Sequence, residues 1–319
     1  MLFNIALLII GLFVLILGGD ALVRGASSIA LRLHMTPLVV GLTIVAFGTS
    51  APELLISINA ALSGSPDLTM GNVVGSNICN LALVLGITLL IGPVKVQGDS
   101  IKIDWPVTMG SSLLLFIVTR NLLIGWQVGV AFLFILTVYT VFIIRKSRIK
   151  LKKAKAAETQ LELDLPIDET SNSTWKDIGL ILLGSLALFF GSDWFVTGAK
   201  ELATFLGVSQ RVIGITVLAL GTSLPELVTA IVASFKRETD LALGNLLGSN
   251  IFNVLSILGI TSIIKPIAVN PTIHSVDMLW MLGITLIILP MMLLRNRLGR
   301  IDGVILLLIY IYYTYSVIS

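Results

Sequence analysis

Glu53 and Glu226 are carboxylates inside stretches otherwise long and apolar enough to cross a membrane, 37–62 and 211–235. Each directly follows a proline, within GTSAPE from Gly48 and GTSLPE from Gly221. A proline in a helix removes one N–H and clashes with the carbonyl four residues back, here Gly48 for Pro52 and Gly221 for Pro225. The helix is expected to open there, leaving carbonyls near Ala46 to Thr49 and Ala219 to Thr222 without helical partners. Facing lipid this would be prohibitive, but it is tolerated where the backbone lines a cavity. Free carbonyl oxygens need a partner, and a cation is an obvious one. Glu53 lies four residues after Thr49, which puts both on one helix face, and Ser50 adds a hydroxyl beside them. Thr222, Ser223 and Glu226 repeat the arrangement.

The next apolar stretch after each carboxylate adds more polar atoms. Asn72, Ser76 and Asn80 are spaced by four, as are Asn245, Ser249 and Asn253. Glycines at 71, 75, 244 and 248 let helices approach closely there. Carboxylates, hydroxyls, amides and freed carbonyls are all hard oxygen donors, and apart from Cys79 there is no histidine or thiolate cluster to accompany them. Oxygen-only ligation favours calcium, magnesium or alkali cations over zinc or copper. No lysine or arginine lies centrally in these stretches to neutralise the glutamates, and an intramembrane carboxylate is a functional site by default. For Ser50, Ser223, Ser76, Ser249, Asn80 and Asn253, hydrogen bonding between helices competes with ligation. Asp20 and Asp193 sit near stretch ends and read as interfacial or packing residues, while His34 and His274 fall in loops, where a pH-sensing role is the sharper alternative. Ser50 and Ser223 lack any nearby histidine or lysine base, which argues against an intramembrane protease, and no enzymatic activity or cofactor is expected.

The elements that must position these groups follow from composition. Of 319 residues, 56% are hydrophobic and only 12% charged, and the mean hydropathy is +1.00. Soluble domains run nearer a quarter charged. A bilayer core about 30 Å thick takes about 20 apolar residues as helix. About ten spans result by that rule: 2–22, 37–62, 69–92, 106–119, 123–144, 177–199, 211–235, 241–264, 276–294 and 301–318. The first follows Met1 with no basic flank or small-residue cleavage site, so it reads as a retained helix. The single cysteine, Cys79, rules out an internal disulfide. The formal charge of +3 matters by location, because lysine and arginine mark cytoplasmic loops. With the N-terminus outside, the cytoplasmic side holds Arg24, Arg32, Lys95, Lys102, the basic run after Arg145, Lys236, Arg237, Arg295, Arg297 and Arg300. The other side holds Arg120, Lys200, Arg211 and Lys265. Both termini are therefore expected outside a plasma membrane, with the lipid bilayer and no nucleic acid as surroundings.

The chain is internally duplicated. The 47-residue stretch from Gly41 and that from Gly214 align without a gap at an offset of 173 residues, with about half the positions identical. The register extends upstream, where GGDALVRGA from Gly18 matches GSDWFVTGA from Gly191, and downstream to Pro93 and Pro266. Five spans are an odd number, so the second copy enters the membrane from the opposite side. The expected fold is an all-α membrane protein of ten transmembrane helices in two inverted five-helix repeats, with helices 2 and 7 discontinuous. Many secondary transporters are built this way, with sites at the midplane between repeats. The first repeat is expected over 1–144 and the second over 177–319, joined by a cytoplasmic linker, 145–176. The linker's basic half suits anionic lipid. Its acidic residues, Glu158, Glu162, Asp164, Asp168 and Glu169, lack the alternating Asp/Asn and glycine of a calcium loop.

The paired GTSAPE/GTSLPE and GNVVGSN/GNLLGSN motifs closely resemble the two α-repeats of the sodium/calcium exchanger family, within the cation/calcium antiporter superfamily. The resemblance covers essentially all ten spans, and the short central loop is similar to that of prokaryotic members, without the large regulatory insertion of animal exchangers. It implies alternating access, with sodium entry driving calcium out and a third sodium carried per calcium. It also implies calcium ligation by Glu53, Glu226 and the backbone oxygens of Thr49 and Thr222. One sodium position would use the Ala219 carbonyl, Thr222, Ser223, Glu226 and Ser249. Its symmetric counterpart would use the Ala46 carbonyl, Thr49, Ser50, Glu53 and Ser76, with Asn80 and Asn253 facing the centre. Some prokaryotic and potassium-dependent relatives carry aspartate where this chain has Asn253. Proton-coupled relatives carry a GNATE-like motif in place of GTSxPE, and its absence here favours sodium. The alternatives are a proton-coupled exchanger, in which protons discharge the two glutamates, and a channel, which the duplicated discontinuous helices argue against. The charge asymmetry predicts that a cysteine introduced at Thr159 in a Cys79→Ala background resists a membrane-impermeant thiol reagent in intact cells. Labelling from outside would reverse the assigned topology.

Overall fold

The computed structural model describes residues 2–158, 174–207 and 219–318. Its described spans are α1 (Leu2–Arg32), α2 (Pro37–Thr49 and Ala51–Leu62), α3 (Pro66–Ile91), α4 (Ser100–Asn121) and α5 (Trp126–Glu158). They continue with α6 (Thr174–Phe205), α7 (Ala219–Gly221 and Leu224–Phe235), α8 (Thr239–Ile264), α9 (Ile273–Arg295) and α10 (Arg300–Ile318). Among the described residues, eight helices are long and apolar enough to cross a membrane, and the two halves of α2, bent by 45°, make a ninth. The expected span 211–235 is described from Ala219 onward; its first part lies outside the described residues. The chain is an all-α membrane protein of ten transmembrane helices in two inverted five-helix repeats, with α2 and α7 discontinuous.

Several helices outrun the apolar stretches that announced them. The first span, expected over 2–22, continues to Arg32. At 1.5 Å per residue its 31 residues measure about 46 Å, more than the hydrocarbon thickness. The fifth, expected over 123–144, runs on to Glu158 through Lys- and Ala-rich sequence that favours helix. Hydropathy reports where lipid ends, and helical hydrogen bonding does not stop there. His274 likewise lies in a widened turn, Ile273–Asp277, at the start of α9 rather than in a loop. It stacks on Phe116 and its Nδ1 lies 3.0 Å from Thr119 Oγ1.

Burial sorts the helices into a centre and a periphery. In α3 and α8, 72% and 78% of the spanning window is buried, against 22% in both α1 and α6. The peripheral pair packs antiparallel along glycines seven residues apart, Gly11, Gly18 and Gly25 on α1 and Gly184, Gly191 and Gly198 on α6. A Cβ at Gly11 would stand 2.5 Å from the Phe195 nitrogen, and one at Gly184 would stand 2.6 Å from the Leu22 nitrogen. The backbones therefore touch, as small residues permit in lipid. Two short antiparallel ladders tie the repeats together at symmetric positions: Val94–Lys95 with Arg297–Leu298, and Leu123–Ile124 with Ile267–Ala268.

Charge holds one end of the assembly. Asp20 meets Arg24 at 2.8 Å and Lys236 at 2.5 Å, joining α1 to the end of α7. Lys146 donates to Asp99 at 2.7 Å, and this bond, with help from Lys150, holds the Asp99 carboxyl below the usual carboxylate range. Arg32 meets Asp177 at 2.6 Å across the α1–α6 pair, and the Asp177 side chain is only 3% exposed. Removing one partner of such a pair strands the other charge at a cost of about 3–5 kcal/mol. Arg32→Met is accordingly expected to lower the thermal midpoint of the purified protein in detergent, and Arg32→Met/Asp177→Asn to recover most of it. A double variant as unstable as the single one would show that the stranded charge is not the cause.

Candidate cation site

The two broken helices deliver the carboxylates. In α2 the break falls at Ser50 (φ −86°, ψ 4°), and Glu53 lies in the first turn of the second half. In α7 it falls at Ser223 (φ −90°, ψ 6°), with Glu226 in the matching place. Proline at the start of each new half suits the first turn, where its missing N–H has no partner to lose. Each carboxylate therefore sits at the positive end of a helix dipole.

The freed carbonyls are fewer than the sequence suggests. Ala46 keeps its helical partner, accepting from the Ser50 N–H at 3.0 Å, with the Thr49 hydroxyl oxygen 3.3 Å away. Proline abolishes only the bond its own nitrogen would have made. The Gly221 carbonyl, the one Pro225 deprives, accepts from the Ser192 hydroxyl of α6 at 2.6 Å. Ser192 carries no repeat signal, because its counterpart in the first copy is Gly19.

The bend also redirects Thr49. Rather than simply sharing a face with Glu53, its hydroxyl donates to Asn245 Oδ1 at 3.1 Å and lies 3.4 Å from Ser249 Oγ, both on α8. The inverted partner contact joins Thr222 of α7 to Ser76 of α3 at 3.3 Å. Each broken helix thus turns toward the central helix of the other repeat. Ser50 of α2 donates to Glu226 Oε1 at 3.2 Å, and Ser249 of α8 lies 3.4 Å from the same oxygen. Asn72 fastens α2 from the α3 side, donating to the Glu53 carbonyl at 3.2 Å and to Ser57 Oγ at 3.0 Å.

Glu53 and Glu226 are wholly buried, as are Thr49, Asn80, Ser249 and Asn253; Ser50, Ser76 and Ser223 are nearly so. Among the described residues neither Glu53 carboxylate oxygen has a hydrogen-bond partner, nor does Glu226 Oε2, either amide atom of Asn80, or Asn253 Oδ1. Ala219 opens the short Ala219–Gly221 stretch immediately before the α7 break. Asn80 and Asn253 occupy π-helical turns, Cys79–Val84 and Asn253–Ile257, whose wider ring is common at functional sites. Asn77 and Asn250 were not singled out by spacing, yet they join the two central helices: Asn77 Nδ2 donates to the Asn250 carbonyl at 3.3 Å. The signal available for them was the GSN triplet shared by both copies.

A cavity of about 560 Å³ reaches the cluster from one side. Asp67, Asp193, Asn72, Ser76, Ser192 and Thr222 contribute its polar lining. On the opposite side the first half of α2 lies directly against α8, where a Cβ at Gly248 would stand 2.7 Å from the Leu42 Cα and carbonyl oxygen. The inverted counterpart of Gly248 is Gly75, where a Cβ meets nothing within 4 Å among the described residues; Ile215, the counterpart of Leu42, lies outside them.

Oxygen donors gathered at the middle of an inverted helical repeat, with a cavity beside them, define a membrane transporter for small cations. A family model described as sodium/calcium exchanger protein matches residues 3–145 and 176–319. The chain is 34% identical over 314 residues to the inner membrane protein YrbG of Escherichia coli, covering 96% of this chain and 94% of that protein. It is 32% identical over 337 residues to the sodium/calcium exchanger MaX1 of Methanosarcina acetivorans, covering 97% and 96%. Structures of the sodium-calcium exchanger NCX_Mj superpose with a TM-score of 0.83 at 28% identity, covering 99% of each chain. This chain belongs to the sodium/calcium exchanger family, and it is a multi-pass membrane antiporter of calcium and sodium.

Gly248 provides a test of the α2–α8 contact. Gly248→Ala forces a methyl into the α2 backbone, an overpacking cost of about 1–3 kcal/mol. The expected result is a lowered thermal midpoint of the purified protein, and an unchanged midpoint would mean that α2 does not press on α8 there.

Proposed function

We propose that Glu53 and Glu226, with Thr49, Thr222, Ser50, Ser223, Ser76, Ser249, Asn80 and Asn253 and the Ala46 and Ala219 carbonyls, hold the transported cations, and that exchange proceeds by alternating access. One observation carries the reading: both carboxylates are sealed from solvent, yet three of their four oxygens lack any partner among the described residues. Burying a charge without compensation is expensive, and a calcium ion supplies the missing charge. The neutral oxygens around it supply the further ligands a hard cation needs.

The ionisable charge of the site is that of two carboxylates, because Asn80 and Asn253 are neutral. One calcium ion balances it, as do two sodium ions. A third sodium, in keeping with the family resemblance, leaves the loaded carrier positive. Exchange at that ratio moves one net charge per cycle, worth about 2.3 kcal/mol per 100 mV. The reading is therefore electrogenic calcium extrusion across the cell membrane, with both termini outside and the 145–176 linker in the cytoplasm. In that orientation the cavity faces outward. The duplicated sequence supplies the opposite state, since Gly71 and Gly75 stand where Gly244 and Gly248 are close-packed now. Proton coupling is the second reading, and the family match does not favour it.

Glu53→Gln and Glu226→Gln each keep side-chain size and remove one of the two charges. Each is expected to abolish sodium-dependent calcium flux in proteoliposomes, while Ser50→Ala, which deletes one neutral ligand, weakens it less. With potential clamped by potassium and valinomycin, parent flux should follow voltage. Near-normal calcium flux in either glutamine variant would sink the site, and indifference to voltage would sink electrogenic exchange.

A further inference from the structure

We infer that Asn77 is a positioning residue that turns the Asn253 amide so that its oxygen, and not its nitrogen, is offered to the cation. The inference rests on the cation site proposed above.

The orientation of both amides follows from what their neighbours can do. One end of the Asn77 amide lies 3.3 Å from the backbone carbonyl oxygen of Asn250 and 3.6 Å from the Met281 sulfur. A carbonyl only accepts, and a thioether has no proton to give. That end of Asn77 must be the NH₂ group. Its other end is then the carbonyl oxygen, which needs a donor, and Asn253 Nδ2 stands 3.1 Å away. Asn253 thereby commits its nitrogen to Asn77. Its Oδ1 remains, buried and without a partner, on the α8 stripe that also carries Asn245 and Ser249. Turning the Asn253 amide over would set two oxygens against each other at Asn77 and aim two N–H donors at an incoming cation.

The arrangement is not duplicated. The counterpart of Asn77 is Asn250, whose Nδ2 bonds the Leu246 carbonyl of its own helix at 2.8 Å. Asn80, the counterpart of Asn253, has neither amide atom paired. The two central asparagines therefore differ: Asn253 is held as an oxygen ligand before the ion arrives, and Asn80 must be oriented by the ion. Preorganised ligands bind more tightly because less freedom is lost on binding.

A double-mutant cycle separates orientation from general support of the α3–α8 contact. Calcium binding to the purified, sodium-free protein is measured at one pH for the parent, Asn77→Ala, Asn253→Asp and the double variant. An aspartate at 253 carries oxygen at both positions, so no orientation is left to set, and Asn77→Ala there removes an oxygen that faces an oxygen rather than an acceptor the side chain needs. Asn77→Ala is expected to weaken binding about tenfold in the parent and less than about twofold beside Asn253→Asp. Equal weakening in both backgrounds would reduce Asn77 to a structural residue. Should Asn77→Ala fail to fold, Asn77→Asp keeps an acceptor for Asn253 while losing the donor to Asn250. It should lose thermal stability and keep calcium affinity, and a loss of affinity there would overturn the inference. Glu53→Gln, measured alongside, tells the two failures apart. Parent-like binding in Glu53→Gln would remove the site itself, whereas lost binding there with no coupling at Asn77 would remove only the positioning role.

Discussion

Two carboxylates without counter-charge, enclosed in a protein that is itself enclosed in lipid, set the terms for the rest of the structure. Among the described residues Glu53 and Glu226 have no lysine or arginine against them, although basic residues pair with Asp20, Asp99 and Asp177 nearer the helix ends. What the protein does provide is partial: a hydroxyl from Ser50 on one Glu226 oxygen and the positive ends of two half-helices. Full compensation by the protein would leave nothing for a cation to do. Incomplete compensation is what the proposed role of the pair, holding a positive ion, rests on.

Breaking α2 and α7 is the means by which this is done without exposing backbone to lipid. Proline starts the second half of each helix and sets the carboxylate one turn inside it. The gap in α7 is closed by a neighbour, Ser192 on the Gly221 carbonyl, and Asn72 of α3 fastens the second half of α2 at the Glu53 carbonyl. The central helices α3 and α8 carry most of the neutral donors and are the most enclosed elements. The α1–α6 pair lies outside them, joined backbone to backbone through glycine.

The repeats share about half of their positions over the 47 aligned residues. On one side α2 lies against α8 at Gly41 and Gly248, and α3 borders a cavity. The backbone contact between α2 and α8 is made by glycine and belongs to the placement of whole helices rather than to any one functional side chain.

The inverted repeat, the two glutamates, the prolines that break their helices and the stripe of Asn and Ser were all legible in the sequence. Periodicity, hydropathy and self-similarity are properties of neighbouring residues and of copies. The same local signals could not tell that Thr49 leaves its own repeat for Asn245 and Ser249, because a bend between Thr49 and Glu53 changes which way each side chain points. Nor could they find Ser192, which has no copy, or the path from the Asn250 carbonyl through Asn77 to Asn253. Those depend on which atoms meet when distant helices pack. A hydrogen bond has direction, and only the tertiary structure decides which donor faces which acceptor.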